Sequence, residues 1–277
     1  MQERVKYQNH LGEEIDFGRN GIYVKSSELH DYQWDVVQKN GKISGFRRAV
    51  VQKKLPVVIF CTTVDAGLAA RNRLVEVAEK DILASQPGRL IIGDYYFKCY
   101  ISKSQKDGYL FSRRKMEATL TITTDEPFWV REISYYFRDS GSGDAGSATA
   151  GFDYSFDYPV DYVCGFANGE LTNPGFAAAN FRMTIYGPCT NPTVYVGGHE
   201  YTVAATLAES EYLTIDSISK TIIKTAADGA KTNLFHHRGR SSYIFEKIPS
   251  GGNVLARNGD FNVDLVLLEE RSEPKWT

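Results

Sequence analysis

Residues that usually carry chemistry are scarce in this sequence. Its 277 residues include four cysteines, Cys61, Cys99, Cys164 and Cys189. They lie far apart, with no CxxC pair and no His at ligand spacing, which argues against a zinc site or a redox motif and leaves buried free thiols. Neither HExxH nor GxSxG occurs, and no Cys stands in a nucleophile signature. No apolar run approaches the roughly 18 residues of a membrane span, and the opening MQERVKYQNHLGEE is polar, so neither an anchor nor an export signal is expected. No cofactor is called for by any of these patterns.

What the chain has instead is alternation. Aromatics make up 13% of it, with 17 Tyr, a composition that favours sheets and contact surfaces. In the first 60 residues, VKYQN, GIYVK, YQWDVV and GFRRAVVQKKLPVVIFCTT are strand candidates, separated by turn signals at Gly18, Gly21, Asn40 and Gly41. One helix pattern follows in DAGLAARNRLVEVAEKDILASQPG, where Leu74, Val77, Ala78 and Ile82 are predicted to share the buried face and Pro87 and Gly88 to stop the helix. Next, Gly93 and Asp94 form a two-residue hairpin turn, after which Tyr95, Phe97, Cys99 and Ile101 point one way and Tyr96, Lys98, Tyr100 and Ser102 the other. After a turn at Asp107 and Gly108, Met116, Ala118, Leu120 and Ile122 alternate with Glu117, Thr119, Thr121 and Thr123, and the last strand is expected to end at DEPFW. The simplest architecture for this half is an antiparallel meander backed by one helix.

Residues 138–151, RDSGSGDAGSATAG, are the low-complexity segment, read as a loop or linker. Beyond it, FRMTIYG, TVYVGG, HEYTVAATL, EYLTIDSISKTIIK, SSYIFEKI, NVLA and FNVDLVLLEE are strand candidates with no amphipathic helix among them. Such spacing indicates a sandwich or jelly roll. Charge divides the chain as well: residues 1–131 carry 21 Lys and Arg against 16 Asp and Glu, net +5, whereas residues 132–277 carry 11 against 18, net −7. The expected fold class is therefore mainly β with two domains, and the opposed charge suits oriented association with different neighbours.

Three stretches could hold a site. GSGDAG, residues 141–146, matches a dinucleotide fingerprint but lacks the helix that would face a pyrophosphate. FDYSFDYPVDY places Asp153, Asp157 and Asp161 beside tyrosines, so Tyr154, Asp157 and Tyr158 are candidate glycan contacts. Calcium there would need about six to eight oxygens and finds no EF-hand pattern, and Pro159 interrupts the strand, so a solvated Tyr-rich segment is the plainer reading. His236 and His237 are adjacent and on a strand would face opposite ways, so an exposed polar loop is expected.

The order of pieces is itself informative. The N-terminal strands, then ARNRLVEVAEKDILASQPG, RLIIGDYYFKCYI and EATLTITTDEPFW, then NFRMTIYGP, EYLTIDSISKTI, LFHHRGRSSYIFEKIPSGGNVL and a closing strand before SEPKW, together resemble the distal tail protein family of long-tailed bacteriophages, also called the siphovirus tail component family. The Gly/Ser-rich loop at 139–150 and the FDYSFDYPVDY insert fit the family least.

The resemblance implies an N-terminal belt domain over 1–131, six copies of which close into a ring, with residues 268–277 returning to pack on it. It implies a galectin-like sandwich over 132–267. Implied partners are further copies of the chain, including back-to-back rings in isolation, the tail tube protein, the tail-tip hub and, in some relatives, receptor-binding proteins; DNA passes through the channel. The implied location is the virion tail tip after assembly in the host cytoplasm, and no catalytic residue is implied. On strand-edge physics, Thr-rich strand 116–123 is the expected edge, and Tyr96, Lys98, Tyr100, Thr119 and Thr121 the expected subunit contact. A carbohydrate-binding role toward host cell-wall glycans is the alternative.

Overall fold

The computed structural model describes residues 4–107, 114–138 and 169–276. The chain divides into two compact units, one made of 1–131 with 270–277 and the other of 132–269.

The first unit contains β1 (Val5–Gln8), β2 (Glu14–Asp16), β3 (Ile22–Val24), β4 (Asp35–Lys39), β5 (Lys42–Arg47), β6 (Val51–Phe60), helix α1 (Val64–Ala84), β7 (Gly88–Ile92), β8 (Tyr95–Asp107), β9 (Lys115–Thr124) and the start of β10 (Trp129–Phe137). β8 joins two sets of strands. Over Tyr95–Cys99 it pairs with β7, which continues to β1 and β2, and at Tyr96 and Phe97 its other edge meets β10. From Tyr100 onward that other edge pairs with β9, which continues to β6 and β3. Alternation along β8 is as the sequence predicts: Tyr95, Phe97, Cys99 and Ile101 are buried in the core with Leu55, Leu90, Leu120 and Trp129, and Met116, Ala118, Leu120 and Ile122 of β9 face the same way. Gly93, at φ +55°, supplies the left-handed residue of the tight β7–β8 turn.

Two expectations fail in this unit. β9 is not an edge strand, because β6 pairs with it from Val51 to Phe60 on one side while β8 pairs with it on the other. And chain pairing does not end at DEPFW; Trp129 opens β10, which runs on to Phe137.

Helix α1 starts at Thr63, whose side chain accepts a hydrogen bond from the Ala66 amide at 3.2 Å, and stops at Ser85 in the left-handed conformation. Its buried stripe is Gly67, Ala70, Leu74, Val77, Ala78 and Asp81. Ile82, predicted to be on that face, is 43% exposed. The residue facing inward one position earlier is a carboxylate, tolerated because the β1–β2 turn brings donors to it. Asp81 accepts from the Tyr7 hydroxyl at 2.5 Å and the His10 amide at 2.9 Å, and its Oδ1 lies 2.5 Å from His10 Nδ1. Burial, followed by the bond to Asp81, pushes the Tyr7 phenol well above its ordinary range. Asn9 completes the clasp, accepting from the Leu11 and Glu13 amides while its own amide reaches the Val77 carbonyl.

The second unit contains the rest of β10, β11 (Gly169–Asn173), β12 (Asn180–Tyr186), β13 (Cys189–Thr190), β14 (Thr193–Val196), β15 (His199–Thr202), β16 (Thr206–Leu207), β17 (Tyr212–Asp216), β18 (Thr221–Thr225), β19 (Lys231–Asn233), β20 (Gly251–Arg257) and most of β21 (Val263–Arg271). One sheet has the order β19-β18-β17-β12-β21-β10 and a second the order β11-β20-β14-β15. Phe181, Met183, Ile185, Ile215, Val263 and Leu265 of the first enclose a core with Val194, Val196, Tyr201 and Leu255 of the second. The Phe181 and Tyr201 rings meet edge to face at 5.2 Å across it, so the predicted β-sandwich is the architecture. SSYIFEKI is not a strand: Ile244, Phe245 and Ile248 plug the core from an irregular segment, and only Ile248 bridges, to Ala179. His236 and His237 end a short 3-10 turn, Phe235–His237, with both side chains exposed.

Two predictions follow from the buried groups. Asp81→Ala strands the Tyr7 hydroxyl and the His10 amide in the interior, and Gly88→Ala drives a Cβ into the Asp81 carboxylate and the Tyr7 hydroxyl. The first should cost about 3 kcal/mol or more and the second about 1–3 kcal/mol, read as a lower urea midpoint; an unchanged midpoint for either would show that the clasp is dispensable. Burial also raises the thiols of Cys99 and Cys189, the latter to about 11. At pH 8 the Cys189 thiolate is then about a hundredfold scarcer than that of a free thiol. Iodoacetamide should label the buried Cys99 only after unfolding and the half-buried Cys189 far more slowly than a free thiol, as followed by peptide mass spectrometry.

Candidate functional site

Among the described residues, the features that stand out are surfaces. The first is the hairpin of β4 and β5, which forms a two-stranded sheet of its own joined by Asn40 and Gly41, both at positive φ. Its register puts Val36 opposite Phe46 and Gln38 opposite Ile43 on one face, and Asp35 opposite Arg47 and Lys39 opposite Lys42 on the other. A shift between Val37 and Gln38 keeps Ile43 on the same side as the Val36–Phe46 pair. Val36, Ile43 and Phe46 are 48%, 63% and 60% exposed. An isolated two-stranded ribbon gains little stability alone, and a row of exposed apolar side chains along one is the mark of a surface built to be covered.

The base of this arm is fixed firmly. The Arg48 guanidinium sits against the rings of Trp34 and Phe128, which meet edge to face, 4.2 and 4.3 Å from their centroids, and donates to the Pro127 carbonyl and the Ser272 hydroxyl. Next to it, Lys53 is buried and donates to the carbonyls of Glu28 at 3.0 Å, Leu29 at 3.2 Å and Asp31. Burial lowers the basicity of both groups. Trp129 Nε1 donates to the Leu29 carbonyl at 3.3 Å, and the C-terminal Trp276 stacks on His30 with ring centroids 3.8 Å apart. The arm therefore leaves a rigid corner assembled from four separate parts of the chain.

A second surface is the face of the β6-β9-β8 sheet turned away from the core. The five predicted contact residues all lie on it. Tyr96 is half-buried beneath the Arg89 guanidinium at 4.5 Å, Lys98 is paired with Glu126 at 3.0 Å, and Tyr100 sits opposite Thr123. Thr119 is flanked by Pro56 and Gln105, and Thr121 by Lys54 and Lys103. The strands beneath Tyr96, Thr119 and Thr121 are paired on both sides, while β8 has a partner on one side only at Lys98 and Tyr100, so Thr119 and Thr121 offer side chains and not a backbone edge. Gln52, Lys54, Lys103, Thr119, Thr121 and Thr123 make most of this face polar, while Val58 and the exposed Phe60 lie on it toward the end of β6.

The third is a groove of about 220 Å³ between α1 and β8, walled by Leu74, Ala78, Ile82, Ile101, Ser104 and Leu120. Here β8 has passed the end of β7. From Lys103 to Asp107 its outer edge pairs with no strand among the described residues. The candidate glycan residues Tyr154, Asp157 and Tyr158 lie outside the described residues, as do Asp153, Asp161, Cys164 and GSGDAG.

No family model matches the sequence, and no curated protein matches it. Solved structures do. The Dit (gp 19.1) protein of phage SPP1, described as a paradigm of the hub adsorption apparatus of phages infecting Gram-positive hosts, is similar over 98% of this chain and 100% of its own, with a TM-score of 0.60 at 10% identity. A chain of the phage P2 baseplate in its activated conformation with Ca is similar over 99% of this chain and 100% of its own, with a TM-score of 0.61 at 14% identity. The same baseplate with Sr gives 0.61 at 13% identity over the same spans. The likeness to phage tail-tip proteins read from the order of sequence features thus holds at the level of the fold, across both units.

Arg48→Ala should free the arm from its corner. Hydrogen exchange and limited proteolysis within 35–47 are expected to rise while the unit as a whole loses only about 1–2 kcal/mol. Arg48→Lys should not restore protection, because an ammonium lacks the planar fork that packs against aromatic rings while holding two acceptors at once. Unchanged protection of 35–47 in Arg48→Ala would show that the arm is held elsewhere.

Proposed function

We propose that this protein is a distal tail protein of a long-tailed bacteriophage. Six copies close into a ring through the first unit; the ring joins the tail tube to the tail-tip hub and leaves a channel for DNA. The second unit serves as an outward sandwich that holds receptor-binding proteins. The role is structural, and its partners are other copies of the chain, the tube protein and the hub.

One observation carries the reading: the fold matches phage hub and baseplate chains end to end, through both units, at TM-scores of 0.60 and 0.61. The surfaces support it. A ring of identical copies needs a contact between two different patches of the same molecule, and the first unit presents an exposed apolar arm that a neighbour would cover. Ring formation also needs one wall that tolerates water and a polyanion in transit. Along Gln52, Lys54, Lys103, Thr119, Thr121 and Thr123, the outward face of β6, β9 and β8 has that character, since this stretch offers hydrogen bonds and some positive charge; the exposed Phe60 lies beyond it at the end of β6. A net +5 over residues 1–131 against net −7 over 132–277 lets the two units face different partners.

Size exclusion with light scattering, followed by negative-stain imaging, tests this directly. Six-fold rings are expected from the purified chain or from the chain co-expressed with its neighbouring tail proteins. A chain that stays monomeric in both preparations, or that is missing from purified particles, overturns the proposal.

A further inference from the structure

The exposed arm and the empty groove belong to opposite margins of one sheet. The arm is continuous with β6, on one side of the β6-β9-β8 array, and the groove runs along the outer edge of β8 on the other side. We infer that the β4–β5 arm of one copy docks in the α1–β8 groove of the next, adding its strand to the free edge of β8 and laying Val36, Ile43 and Phe46 against the helix. This rests on the ring reading and deepens it by naming the two mating patches.

Four observations favour a second copy as the occupant. The surfaces match in kind: a ribbon with one apolar face meets a groove whose apolar part is Leu74, Val75, Ala78, Ile82, Ile101 and Leu120, with polar residues of β8 along the other side. They match in length, since β4 has five residues and β5 six, comparable with the unpaired stretch from Lys103 to Asp107. An incoming strand would supply the backbone partners that this edge lacks, which is how strand addition gains affinity. The Ser104 hydroxyl, in the groove wall, is buried with no hydrogen-bond partner among the described residues, and a backbone carbonyl brought alongside β8 would satisfy it. The charges agree too. Lys39 and Lys42 at the arm tip have no ion pair within the described chain, and neither does Glu79 on the helix side of the groove, so the tip is expected to point toward Glu79 and away from Lys103 and Lys106, which line the strand side. Because arm and groove lie at opposite margins, each copy uses one patch toward each neighbour, the head-to-tail arrangement that closes a ring.

Two single-defect variants test the pairing, both altered at exposed positions so that folding survives: Ile43→Ser with Phe46→Ser spoils the arm, and Ile82→Glu spoils the groove. Circular dichroism melts should match the wild type. Each variant alone should raise the concentration at which rings half-form by about a hundredfold or more. Mixed in equal amounts, they should give a dimer and nothing larger, because one intact arm meets one intact groove and the other two patches are dead. If either variant assembles like the wild type, or if the mixture stays monomeric while the wild type forms rings, the arm and groove are not mates, although the ring reading stands. If the wild type itself never assembles, with or without its tail neighbours, both readings fall.

Discussion

Backbone pairing along β8 governs the first unit. A strand of this length cannot be satisfied by one neighbour, so the chain supplies β7 and β10 to its first half and β9 to its second. Side-chain alternation then does the rest, sending Tyr95, Phe97, Cys99 and Ile101 inward as a continuous spine on which α1, β6 and Trp129 pack. The irregularity between Ile101 and Lys103 marks the changeover. Past it, one edge is occupied and the other has no partner strand among the described residues. Unmet N–H and C=O groups on an exposed edge are normally blunted by charge or by covering structure; here Lys103 and Lys106 do part of that, and the adjacent apolar groove does the opposite.

Polar groups inside this unit have a positional task. Asp81, Lys53 and Arg48 are each costly to desolvate, and replacing such groups by apolar ones of similar shape can be neutral for stability. What they fix is which loop sits where. Asp81 accepts only if the β1–β2 turn presents Tyr7 and His10, Lys53 needs the carbonyls of Glu28, Leu29 and Asp31, and Arg48 requires two aromatic planes and Ser272 at once. Loops that have little regular structure of their own are held by these demands to one arrangement, and the arm inherits its starting direction from it.

Much of the fold was legible because long strands with period-two alternation announce themselves: Tyr95–Asp107, Lys115–Thr124, Asn180–Tyr186 and Val263–Arg271 were all predicted as strands. Short strands such as Glu14–Asp16 and Lys231–Asn233 carry too few residues to show a period. Ile82 misled because helical spacing ranks an isoleucine above an aspartate for the buried face, and only the distant Tyr7 and His10 reverse that order. The segment 241–248 has a strand's composition but lacks a paired neighbour. As for the site, Asn40 and Gly41 were visible as a turn, yet nothing local separates a hairpin that joins the main sheet from one that stands apart. Likewise, strand 116–123 looked like an edge since its partners β6 and β8 come from both sides of the helix in sequence. Edges and grooves are properties of strand order, which composition does not encode.

The chain crosses from the first unit to the second within β10 and returns within β21, so the sandwich is an insertion with both of its ends bonded to the same host. A pull on it is shared by two covalent tethers in place of one. The last few residues, including Trp276, belong to the host body, so trimming the carboxyl terminus would damage the scaffold and spare the inserted module. Such an arrangement lets the module be exchanged for another while the scaffold's own strand pairings stay untouched.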